Sequence, residues 1–132
     1  MNMNLHPADA ATSALDPEAV VQRQLDAFNA RDVAAILATY APEAAQWEHP
    51  ATLLARGTEQ LHERFAARFQ EPNLHATLNR RIVMGAIVID HETVTRTFPE
   101  GTGRIELVAI YEVAQGRIAQ AWFLFGAKRL DP

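Results

Sequence analysis

The chain has 132 residues, 48% of them apolar, with 12 basic against 16 acidic side chains, a net charge of -4 and no cysteine. That size suits one domain around a single core, while the charge supplies no basic stripe for counterion release and excludes nucleic acid as an expected partner. A disulfide framework, a thiolate nucleophile and a cysteine zinc site are excluded outright, and with no membrane-length apolar run and no signal-peptide pattern the chain reads as cytoplasmic, with no membrane partner.

Residues 1–14 are small and polar without a sustained period and read as a loosely ordered arm ahead of one domain over 15–132. Asp16 suits an N-cap, Pro17 suits the first helical position, and Leu15 is placed to staple onto Val20. Val21, Leu25 and Phe28 then mark one face of a helix over 17–30. Asp32 caps a second helix, predicted over 32–41, whose Val33, Ile36, Leu37 and Tyr40 repeat the pattern until Pro42 stops it. A short strand over 44–48 leads into a loop from Pro50 to Gly57. Thr58 is the expected cap of a third helix over 58–70, with Leu61, Phe65 and Phe69 on one face and Glu71-Pro72 as its end.

Beyond Asn73 the period changes to two. Four strands are predicted at roughly 75–84, 86–97, 104–114 and 117–125, separated by Gly85, by the segment 99–103 and by Gln115-Gly116. The last three read as an antiparallel meander. Helices first and strands afterwards, with one early strand, define an α+β domain whose curved sheet lays its concave face over the helices.

Five pieces occur in a telling order: Val20-Val21-Gln22-Arg23, Asn29-Ala30-Arg31-Asp32, Glu48-His49-Pro50, Gly57-Thr58 and Phe125-Gly126. Together they resemble the nuclear-transport-factor-2-like superfamily from about Asp16 to Gly126, in its ketosteroid isomerase and polyketide cyclase-like (SnoaL-like) branch. The resemblance implies a cone-shaped fold, an apolar pocket inside it and a homodimer through the outer sheet face. In the isomerase branch a carboxylate moves a proton beside a ketone while a tyrosine and a protonated aspartic acid stabilise the oxyanion.

Set against that pattern, the base position falls on Glu48 by spacing from Asp32 or on His49 by anchoring on Pro50, and neighbours on a regular strand face opposite ways. Gln24 stands where the family has its tyrosine and Ala109 where it has its buried aspartic acid, so oxyanion stabilisation would fall to Gln24, Tyr40 or Tyr111. The cyclases' late-strand aspartate has no counterpart between Asp90 and Asp131, and the Asp-Arg-Asp cluster of the limonene-epoxide-hydrolase type is also unsupported.

Tyr40, Phe65, Phe69, Tyr111, Phe123 and Phe125 can line a pocket for a small apolar or aromatic molecule, or serve as ordinary core. Trp122, with Gln120 and Leu124, falls on the opposite sheet face and reads as a subunit contact. Arg80, Arg81, Glu92, Arg96, Arg104 and Glu106 read as cross-strand charge pairs on solvated faces, with a buried Arg80 or Arg96 holding an anionic ligand as the alternative. His49, His62, His75 and His91 lack chelating spacing, so neither a metal nor another cofactor is expected. Two functions fit: an isomerase-like enzyme with Glu48 or His49 as base, and a non-catalytic ligand-binding or dimerisation module.

Overall fold

The computed structural model describes residues 16–132. The expected arm over 1–14 and the staple from Leu15 lie outside the described residues. Helix α1 (Pro17–Ala30) carries its proline in the first turn and buries Val20, Val21, Gln24, Leu25 and Ala27. Asp16 makes no side-chain cap, contrary to expectation; its backbone carbonyl accepts the Val20 N–H at 3.1 Å. Arg31 ends the helix in the left-handed conformation, with φ 56°. The polar turn that follows is structural. Asn29 donates to the Ala76 carbonyl at 2.9 Å and accepts the Ala76 N–H at 2.8 Å, Arg31 donates to the Pro72 carbonyl at 2.7 Å, and Asp32 caps the next helix by accepting the Ala35 N–H at 2.9 Å.

Helix α2 (Val33–Leu37) is shorter than predicted. The Thr39 hydroxyl closes its end by donating to the Ile36 carbonyl at 2.7 Å, and the chain then enters strand β1 (Tyr40–Glu48) at Tyr40, before Pro42. A proline is tolerated because the register slips between Tyr40 and Ala45. The predicted loop instead forms an edge strand, β2 (Thr52–Arg56). Helix α3 (Gly57–Arg68) springs from it, with Gly57 at φ 84°. Gln60 reaches back to accept the Arg56 N–H at 2.8 Å, whereas Thr58, the expected cap, donates to the Pro42 carbonyl at 3.4 Å.

Strands β3 (His75–Met84), β4 (Ile87–Phe98), β5 (Gly101–Ala114) and β6 (Arg117–Leu130) form the antiparallel meander, with the last two longer than predicted. The six-stranded order is β2-β1-β6-β5-β4-β3, and β1 joins β6 in parallel. This is the curved mixed sheet of an α+β cone. Register shifts at Gln46/Trp47, Leu78/Arg80, Ile105/Leu107 and Glu112/Val113 supply curvature, since each extra residue bends its strand. Val20, Val21, Ile36, Leu61, Val88 and Ile118 are fully buried where the helices meet the sheet.

At the far end of the β5–β6 hairpin, a Cβ on Gly103 would lie 2.3 Å from the Arg129 carbonyl oxygen. Gly103→Ala is therefore expected to lower stability by about 1–3 kcal/mol, the usual scale of overpacking. Urea unfolding checks this, and an unchanged midpoint would show that the strands can part without loss.

The outer face carries an apolar row across five strands, Ile82, Ile89, Ile110, Trp122 and Trp47, each beside the next in register. Trp47 also donates to the Gln120 side-chain carbonyl at 2.7 Å. Among the described residues no helix is long and apolar enough to cross a membrane.

Candidate functional site

A partly enclosed cavity of about 90 Å³ lies between the concave face and helices α1 and α3. Helix α1 contributes Gln24, Leu25 and Phe28, and α3 contributes Arg64, Phe65 and Arg68 at helical spacing. The sheet contributes Gln46 from β1, Glu92, Val94 and Arg96 from β4, and Tyr111 and Phe123 from the last two strands. At about 30 Å³ for each water of the liquid, the space is equivalent to roughly three waters, or one small organic molecule.

Five of the expected pocket residues line this cavity: Gln24, Phe65, Tyr111, Phe123 and Phe125. Tyr40, Phe69 and Ala109 are buried in the core without lining it. The expected bases are displaced. Glu48 aligns with Phe123 and so shares the concave face, but it is exposed at the end of β1, and His49 sits exposed in the following turn. Neither lines the cavity. Gln46 is the residue that β1 contributes.

The carboxyl group at the cavity is Glu92, which the sequence suggested as one partner in a solvated charge pair. It is only 4% exposed. Leu78 and Leu107 stand beside it in register on the neighbouring strands, and it accepts no hydrogen bond from the described residues. Burial pushes its pKa up from 4.5 to about 7, the nearby Asp90 carboxylate adds to the rise, and the Arg81 guanidinium opposes it. Arg81 forms no ion pair with Glu92 because its fork is committed to Asp90. Its Nε donates to Asp90 Oδ1 at 2.7 Å and its terminal nitrogen to Asp90 Oδ2 at 2.9 Å. Asp90 is fully buried, so these charges form an internal pair rather than a solvated one. A carboxyl titrating near neutrality in an apolar wall can both take and release a proton.

The polar groups around it are tethered. Tyr111 donates to Gln24 Oε1 at 3.3 Å, Gln46 donates to the Tyr40 hydroxyl at 3.2 Å, and Arg64 Nε donates to Gln46 Oε1 at 2.9 Å. Burial raises the Tyr40 and Tyr111 pKa values far above neutrality, and the Glu92 charge adds to both, so the phenols serve as neutral donors. Arg96 does not offer its fork to a ligand. Glu71 accepts from its Nε and terminal nitrogen, each at 2.8 Å, and also from Arg68 at 2.9 Å and the Thr97 N–H at 3.0 Å. Arg80, the other arginine considered for a ligand, is exposed on the outer face. Among the described residues no three His, Asp or Glu side chains come together as a metal-binding group.

The match that decides the family covers residues 21–121 and is to the SnoaL-like domain. The chain belongs to the SnoaL-like family. Solved structures agree on the fold of this SnoaL-like chain. A Novosphingobium aromaticivorans protein described as having a cystatin fold superposes with a TM-score of 0.76 at 22% identity, covering 82% of this chain and 97% of that one. A Catenulispora acidiphila protein with a ketosteroid isomerase-like fold, in complex with trimethylamine, gives 0.71 at 14% identity, covering 81% and 85%. An LEH-like epoxide hydrolase from M. tuberculosis gives 0.69 at 17% identity, covering 86% and 83%. No protein of curated function matches the SnoaL-like chain in sequence.

Proposed function

We propose that the protein is an enzyme that moves a proton on a small, largely apolar organic molecule bearing a carbonyl oxygen, with Glu92 as the acid–base group. The observation that carries this is a buried carboxyl in the cavity wall that accepts no hydrogen bond from the described residues, with burial pushing its pKa up to about 7. A catalytic acid or base is most effective when its pKa lies near the working pH. Gln24, from α1, is a donor within the cavity that can hold the substrate oxygen. The cavity volume favours single-ring substrates over fused-ring steroids. The family's tyrosine and aspartic acid donors are replaced here by Gln24 and Ala109, which favours the second reading, binding without turnover.

Deuterium exchange at the carbon beside the carbonyl of cyclohexanone, acetophenone and phenylacetaldehyde, followed by NMR, separates the two. Glu92→Gln is expected to slow exchange about 10²–10⁴-fold, the usual contribution of a positioned acid–base group. A confirmed substrate turned over equally by both proteins would overturn the assignment, and binding without exchange would leave the second reading.

A two-fold dimer through the outer sheet face belongs to the same proposal. It is supported by the half-buried Trp122 within the apolar row and by Ile82 at its edge, 50% exposed. Trp122→Glu sets a charge into that row and is expected to give a monomer by light scattering. A parent protein already monomeric at high concentration would exclude the dimer.

A further inference from the structure

Two guanidinium groups stand four residues apart on the cavity face of α3, Arg64 and Arg68. Like charges at that spacing repel and weaken a helix. Arg68 is neutralised by Glu71 at 2.9 Å. Arg64 forms no ion pair among the described residues, and its only hydrogen bond there is the one its Nε makes to the neutral Gln46. It is nevertheless half-buried, and burial followed by repulsion from Arg68 lowers its pKa. The Glu48 charge acts on it through space, without an ion pair. A partly desolvated guanidinium without a counterion is costly unless an anion arrives. Its two terminal nitrogens keep the parallel donors that match a carboxylate bidentately. Glu92 does not serve as that anion, because no ion pair or hydrogen bond joins it to Arg64 among the described residues.

We propose that the cavity receives a small carboxylate-bearing molecule whose carboxylate docks on the terminal nitrogens of Arg64 while its apolar body lies against Phe65, Phe123 and Val94. This rests on the same cavity as the proposed function and specifies the class of molecule bound there. Arg64 is then the specificity group, and Glu92 addresses a different part of the ligand.

The test measures affinities of benzoate, phenylacetate and 3-phenylpropionate, each against its own neutral amide, by calorimetry at fixed pH and ionic strength. At least one acid is expected to bind the parent protein more tightly than its amide by about tenfold or more, the scale of a charge-assisted hydrogen bond. Arg64→Gln should erase that preference. Arg64→Lys, which keeps a point charge but loses the fork, should retain part of it, and Glu92→Gln should keep or enlarge it, since that change removes a neighbouring acid and no donor. Equal binding of acids and amides, a preference unchanged in Arg64→Gln, or no binding of any probe at millimolar concentration would overturn the proposal. A preference lost in Glu92→Gln but kept in Arg64→Gln would overturn it too. Because the preference in Glu92→Gln and the exchange rate are separate readouts, failure here and failure of the acid–base assignment are distinguishable.

Discussion

Glu92→Gln is expected to stabilise the protein above neutral pH, by roughly 3 kcal/mol as a ceiling, while slowing the proposed proton transfer. The sign follows from where the protons sit. In the unfolded chain Glu92 titrates near 4.5 and in the folded protein near 7. Between those values the native state holds the proton and the unfolded state has released it, so stability falls as pH rises through the window and stays low above it. Glutamine cannot ionise, so the variant lacks this decline and matches the parent only at acid pH, where Glu92 is neutral in both states. Urea unfolding of both proteins across pH checks this. Parallel stability curves would show that Glu92 is solvated as an ordinary carboxylate. A stabilising substitution at an active position is the signature of a group held in an unfavourable environment for its chemistry.

Asp90→Ala is expected to have the largest destabilising effect, about 3–5 kcal/mol, because it leaves Arg81 as an uncompensated buried charge. The remaining neighbours are weak substitutes: Gln22 Oε1 accepts from Arg81 at 2.9 Å, and the exposed Glu18 stands 3.8 Å away. The same change should lower the Glu92 pKa, since it removes a repelling carboxylate and frees Arg81 to attract the charged form. The double variant Arg81→Met with Asp90→Leu should recover much of the lost stability, because both charges leave together. Denaturant midpoints with unchanged m-values would establish this. A single variant as stable as the parent would mean that water reaches Arg81 and the pair is not internal.

These two expectations concern residues that the sequence presents only as charges on a strand. The alternation Val88, Asp90, Glu92, Val94 does signal one face, and two acids set between buried valines were the available clue. Whether that face looks onto solvent, a sheet or a cavity depends on Arg81 across a hairpin and on leucines from both neighbouring strands, and local periodicity carries none of this. The helix α1 and the meander were legible because each repeats its period over ten residues or more and ends at a proline, a glycine or a polar turn. Strand β2 was not, since five residues on a sheet edge show too short a pattern to separate from a loop, and its pairing with β1 is what defines it. The choice between Glu48 and His49 also turned on tertiary detail. Against β6 the strand keeps a regular register from Ala45 to Glu48, so Gln46 and Glu48 share the concave face, but only Gln46 reaches the cavity while Glu48 lies at the exposed strand end. Arg64 carries no signal in the sequence because its meaning lies in the lack of an ion pair among the described residues, which only the packed structure displays.

The acid–base role of Glu92 is the claim on which the account of function stands, and its titration can be observed directly. Carbon-13 NMR of the glutamate side-chain carboxyls, with Glu92→Gln assigning the resonance, follows that titration in the folded protein. The account predicts a midpoint near 7, well separated from those of the exposed glutamates. A midpoint at the ordinary 4.5 would contradict it, since it would show a carboxylate solvated like those on the surface rather than one desolvated in the cavity wall and able to hold a proton at neutral pH.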